Sequence, residues 1–105
     1  MDKREIKNIL SSYRKLMAKA GQLEIEINIY EGSKNELSKK LKDCLDSAKR
    51  IENAINSQED IRKKEILIRK YIYGDTLSEI ADRLCFSERH IQRLLDSAVC
   101  DIVLC

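Results

Sequence analysis

Within SERHIQRLLD, residues 87–96, the side chains Glu88, Arg89, Gln92 and Arg93 recur at helical spacing, with His90 on the flank and Asp96 one turn further on. These are the residue types that recognise base edges. Arginine donates two hydrogen bonds to guanine, glutamine pairs with adenine through one donor and one acceptor, and glutamate accepts from the cytosine amino group. A helix of 3.6 residues per turn places all of them on one outward stripe, while Ile91, Leu94, Leu95 and Ala98 form the inner face. A charged outer face is also what any amphipathic helix shows, so the pattern needs support from its surroundings.

Those surroundings are punctuated. Ser87 is an N-cap for the helix of residues 88–98. Upstream, Thr76 and Glu79 make a capping box that starts a helix with Leu77, Ile80, Ala81 and Leu84 inside. About three residues separate the two helices, and Cys85 stands in the corner where glycine would be easiest. A further helix precedes them in QEDIRKKEILIRKYIYG: Ser57 and Asp60 form a shortened capping box, Ile61, Leu67, Ile68, Tyr71 and Ile72 supply the apolar side, and Gly74 ends it. Three capped helices, the last two close together, are the pattern of a helix-turn-helix.

The amino-terminal half reads differently. Ile6, Ile9, Tyr13, Leu16, Ala20, Leu23, Ile27 and Tyr30 alternate spacings of 3 and 4, a heptad seam over a helix of about 29 residues, with Gly21 its weak point. LEIEINIY taken alone alternates like a strand, but its apolar residues stay in phase with the seam. Gly32 ends this helix, Ser33 and Glu36 cap the next, and Leu37, Leu41, Cys44, Ala48, Ile51 and Ile55 continue a second seam. A short corner between two seams predicts an antiparallel hairpin. The longer first helix overhangs, and its free end must pack on the carboxy-terminal part or on a second copy.

The expected fold is therefore all-α: a long amino-terminal antiparallel helical hairpin over residues 1–57, then a tri-helical helix-turn-helix domain over residues 58–105. Composition agrees, since 36% of the 105 residues are charged, proline is absent and aromatics are only 5%. No apolar run reaches the length of a membrane span and no signal peptide opens the chain, which predicts a cytoplasmic protein with no membrane contact. Four cysteines, Cys44, Cys85, Cys100 and Cys105, are then read as free thiols. Zinc held by Cys85, His90, Cys100 and Cys105 is the sharper alternative, but no CxxC pair exists, so neither a metal nor a cofactor is expected. The single histidine faces no evident nucleophile and no Gly-rich phosphate loop is present, which argues against an enzyme.

The segment from Asp60 to Val99 resembles the helix-turn-helix in region 4 of bacterial primary sigma factors, carried by TLSEIADRLCFSERHIQRLLDSA. The whole chain, with a hairpin ahead of YIYGDTLSEIADRL and SERHIQRL, resembles short phage and prophage transcription regulators of the ArpU and RinA type. The resemblance implies that Glu88, Arg89, Gln92 and Arg93 enter the major groove of double-stranded DNA. It places Ser87 and His90 on the backbone, with Arg62, Lys63, Arg69, Lys70 and Arg83 as nearby cations. Two departures stand out. Cys85 replaces the turn glycine, and residues 58–105 carry 8 Lys+Arg against 9 Asp+Glu, whereas residues 1–57 carry 12 against 9. The reading half is not the basic half, so tight binding would need added contacts from a homodimer, through the hairpin or the apolar tail VCDIVLC, or from RNA polymerase. The competing expectation is an interaction module that binds polymerase or another regulator without reading DNA.

Overall fold

A computed structural model describes residues 2–29 and 34–102. Among these the chain is all-helical: α1 Lys3–Ser11, α2 Tyr13–Ile29, α3 Lys34–Asn56, α4 Ile61–Leu67 running into a π-helical turn Ile68–Ile72, α5 Leu77–Leu84 and α6 Glu88–Asp101. The expected Gly32 helix end, the Ser33–Glu36 capping box, Tyr30 and the tail residues Val103, Leu104 and Cys105 lie outside the described residues.

Helices α2 and α3 pack along each other as the hairpin. Every seam residue of α3 from Cys44 onward is buried, and Leu37 and Leu41 are half-buried. The first helix is not a single rod of 29 residues, and Gly21 is not where it fails. The chain passes through Gly21 as regular helix and breaks instead at Ser12, whose hydroxyl donates to the Ile9 carbonyl at 2.6 Å. This side-chain hydrogen bond to a carbonyl three residues back competes with the helical ladder. Consequently α1 leaves the hairpin seam and lies against α6. Its inner face becomes Ile6 and Leu10, so Leu10, absent from the heptad reading, is fully buried, while Ile9 is only half-buried.

One apolar core joins the foot of the hairpin to the carboxy-terminal helices. Ile6, Leu10, Tyr13, Ile51 and Ile55 meet Ile66, Leu67, Ile80, Ile91, Leu95 and Val99 in a single cluster that crosses residue 57. Burying each large aliphatic side chain contributes about 1.5 to 3 kcal/mol. A second cluster, Ala20, Leu23 and Cys44, holds the distal hairpin. The radius of gyration, 16.2 Å, exceeds the roughly 13 Å of a compact domain of this length because the hairpin tip projects, giving a body of 52 × 28 × 21 Å.

Local signals set the remaining ends. Asp60 alone caps α4, accepting from Arg62 N at 2.9 Å and Lys63 N at 3.1 Å; Ser57 is not part of the cap, since its hydroxyl donates to the Ala54 carbonyl. Ile61 projects outward at 84% exposure rather than facing the core, and Ile66 takes the inner position. Gly74 has φ +80°, a left-handed conformation that calls for glycine, and the end of the Arg14 side chain lies over it. At the carboxy end Val99 and Ile102 are buried in the main core.

Candidate nucleic-acid interface

The corner between α5 and α6 is built as its residues dictate. The Thr76 hydroxyl accepts from Glu79 N and the Glu79 carboxylate accepts from Thr76 N, both at 3.2 Å, which closes the capping box and fixes the start of α5. Cys85 ends α5 in the left-handed conformation, φ 58° and ψ 39°, at a cost of about 1 to 2 kcal/mol for a residue with a Cβ. Phe86 N then returns to the Ala81 carbonyl at 3.0 Å, and the Ser87 hydroxyl accepts from His90 N at 3.1 Å to begin α6.

The amino-terminal half of α6 is the exposed half. Glu88, Arg89 and Arg93 stand in solvent. Arg89 and Arg93, one turn apart, have no counter-ion among the described residues. The axial distance from Glu88 to Arg93 is roughly 7.5 Å, about two base steps.

Gln92 is half-buried and tied to a polar cluster. Its Nε2 donates to Asp96 Oδ1 at 2.9 Å, and the same oxygen receives Lys7 Nζ at 2.8 Å and Lys3 Nζ at 3.3 Å. Asp96 therefore faces α1 instead of joining the open stripe, contrary to the helical projection. Hydrogen bonding from Lys7, opposed by partial burial and assisted by Gln92 and Lys3, holds its carboxyl below the ordinary value of 3.8. An ionised carboxylate cannot donate, so the Gln92 amide must turn an N–H toward it. That leaves Oε1 and the second N–H, one acceptor and one donor, the complement of adenine N6 and N7. Behind this cluster the Tyr71 hydroxyl is held in its neutral form, its pKa raised first by burial and then by the Asp96 charge.

The residues assigned to the DNA backbone fall into three groups. Ser87, His90 and Arg62 are brought together: the Arg62 guanidinium lies 4.8 Å from the centre of the Phe86 ring, and Phe86 meets the His90 ring edge-on at 4.7 Å. Lys63, Arg69 and Arg83 are engaged within the fold. Lys63 holds Asp101 at 3.1 Å, and Arg69 bridges Glu65 at 3.3 Å and approaches Asp75 at 3.8 Å, where Arg83 also arrives at 3.9 Å. At these longer distances Asp75 Oδ2 is buried without a hydrogen bond, so Arg69 and Arg83 answer to it through charge alone. Lys70 turns away, lining a cleft with Ser11, Arg14, Tyr71 and Gly74 at the base of the hairpin.

Sequence reasoning missed three contributors. Phe86, the plate between Arg62 and His90, sits in the corner itself and carries no periodic signal. Lys3 and Lys7 reach α6 only because α1 leaves the seam; the visible clue was that Ile6 and Leu10 are four residues apart, one face of a helix distinct from the heptad.

No helix among the described residues is long and apolar enough to cross a membrane. In comparisons with family models, curated proteins and solved structures, nothing matches the chain.

Proposed function

We propose that the chain is a sequence-specific DNA-binding transcription regulator of the phage and prophage type it resembles, with the amino-terminal half of α6 in the major groove of double-stranded DNA. The observation that carries this reading is the pair Arg89 and Arg93, exposed without counter-ions on one face of a helix that a capped α5 and a left-handed corner hold outward. In this reading Arg89, Gln92 and Arg93 discriminate bases, Glu88 accepts from a cytosine, and Ser87, His90 and Arg62 fix the register on the phosphates. Glu88 at the helix start also suits the dipole. A selection from randomised duplexes is expected to enrich one motif, and Arg93→Ala to relax preference at a single base pair with a loss of about 1 to 3 kcal/mol. If the wild-type chain enriches no duplex, the reading fails.

A second reading, an interaction module that binds RNA polymerase or another regulator, is favoured by one observation. Ile61 and Tyr73, 84% and 60% exposed, line an apolar groove with Ile68 and the stems of Lys64 and Arg69. Exposed large apolar side chains in one patch suit a protein partner. Capture of a polymerase subunit by the wild-type chain and not by Tyr73→Glu would support it; equal capture by both would remove it.

A further inference from the structure

We infer that α1, the helix that precedes the hairpin, belongs to the duplex-binding surface: Lys3 and Arg4 meet the phosphates of the strand that borders α6, while Lys7 neutralises the acid that would otherwise repel them. The inference rests on the DNA-reading function proposed above.

The charge of the reading helix sets the problem. Helix α6 carries two cations, Arg89 and Arg93, against three acids, Glu88, Asp96 and Asp101. By itself it would present a negative element to a polyanion, and counterion release rewards only net cationic contacts. Helix α1 brings three cations, Lys3, Arg4 and Lys7, against one acid, Glu5. Three donors converge on one oxygen of Asp96, at 2.8, 2.9 and 3.3 Å, and two of them are lysines of α1. The clamp leaves that corner of the surface cationic.

Geometry fixes which way α1 presents the rest. Ile6 and Leu10 are sunk in the core and set the rotation of the helix. Lys3 and Lys7 then point along the flank toward α6, and Arg4, about 100° further round, stands exposed. Its guanidinium has no partner among the described residues. Lys7 is the closer and less exposed of the two lysines, at 32% against 43% for Lys3, so Lys7 stays on Asp96 and Lys3 is the one a phosphate can share.

The dimensions of the duplex supply the final step. A helix with side chains is about 10 to 12 Å across and the major groove is about 12 Å wide, so a helix seated in it has a phosphate strand along each flank. An element packed against the flank of α6 therefore lies over one of those strands. Helix α1 is such an element, at the level of Asp96, while Arg62, Ser87 and His90 gather at the opposite, amino-terminal end.

The test uses the full chain and the duplex its own selection enriches, with binding measured between about 50 and 200 mM salt. Each phosphate contact contributes about 0.9 to the slope of log K against log salt, so the double variant Lys3→Ala/Arg4→Ala is expected to lose about 1.8. Its base preference should remain that of the wild type, and its thermal melt reports that α1 is still docked through Ile6 and Leu10. Lys39→Ala/Lys40→Ala, exposed on the distal part of α3, is expected to leave the slope unchanged. A wild-type slope in the Lys3/Arg4 variant, or an equal loss in the Lys39/Lys40 variant, overturns this inference while the DNA-reading function stands. Failure of the wild type to enrich any duplex overturns both.

Discussion

The two apolar clusters of this molecule sit on one hairpin and do unlike work. At the tip, Ala20, Leu23 and Cys44 close a local contact between α2 and α3, built from residues near one another on the same two helices. At the foot, Tyr13, Ile51 and Ile55 are continuous with Ile66, Ile80 and Val99, so α1 and the hairpin together supply seven of the seventeen buried residues in the main core. The difference teaches that a heptad seam has no uniform role. Its outer turns hold two helices together, and its inner turns help fill the core shared with the carboxy-terminal helices.

Removing residues 1–57 tests this most severely. Without Ile6, Leu10, Tyr13, Ala48, Ile51, Ala54 and Ile55, residues 58–105 are expected to show no cooperative thermal transition by circular dichroism. A sharp two-state melt of that fragment would break the comparison. Next in size is a matched pair of truncations. Ile55→Ala, at a fully buried site in the main core, is expected to cost about 3 to 5 kcal/mol and shift the whole urea transition. Leu23→Ala, at 6% exposure in a cluster that can collapse, should cost nearer 2 kcal/mol. It should act through faster hydrogen exchange confined to the tip.

Two stabilising changes sharpen the contrast at about 1 kcal/mol each. Cys85→Gly relieves the left-handed residue at the corner and is expected to raise the global midpoint. Gly21→Ala adds a methyl where nothing lies within 4 Å and improves α2 by about the same amount. Its benefit should be seen in exchange at the tip and hardly at all in the melting of the main core.

The smallest effect is at acid pH. Asp96 has its folded pKa below the ordinary 3.8, chiefly through Lys7, so its contribution is complete above that value and is lost as pH falls through the lower folded one. Asp96→Asn should therefore flatten the fall in stability below about pH 4. Near neutral pH the variant should be slightly less stable, because the clamp between α1 and α6 is weakened.

What could be read from the sequence was local. Thr76, Glu79 and Ser87 announce helix starts through side chains that bond backbone three residues away, and Cys85 is left-handed because the corner demands it whatever residue stands there. The α3 seam from Leu37 to Ile55 also held, since its partner is the adjacent helix. What escaped depends on distant chain. The spacing of Ile6 and Leu10 marks a second face but does not say that α6 waits beside it, and Asp96 is outward on a helical wheel until Lys3 and Lys7 arrive from about ninety positions earlier. Ile61 was misplaced for the related reason that the first turn of α4 extends past the core it approaches. Of the four residues proposed to read bases, Glu88, Arg89 and Arg93 stand where periodicity put them, and Gln92 is turned by a partner that periodicity cannot see.

The π-helical turn at Ile68–Ile72, where Tyr73 N reaches back five residues to the Ile68 carbonyl, bears on how such a chain can change in length. A wide turn holds one residue more than the α-helix around it, the state expected after a single-residue insertion that was absorbed rather than expelled. Deleting one residue there would restore an ordinary helix with no loss of hydrogen bonds. Because the wide turn already takes up the extra residue, the helix beyond it would keep close to its present rotation, and Gly74 would stay beside Arg14. This stretch is therefore where one residue can be gained or lost while α5 and α6 keep the faces they now present.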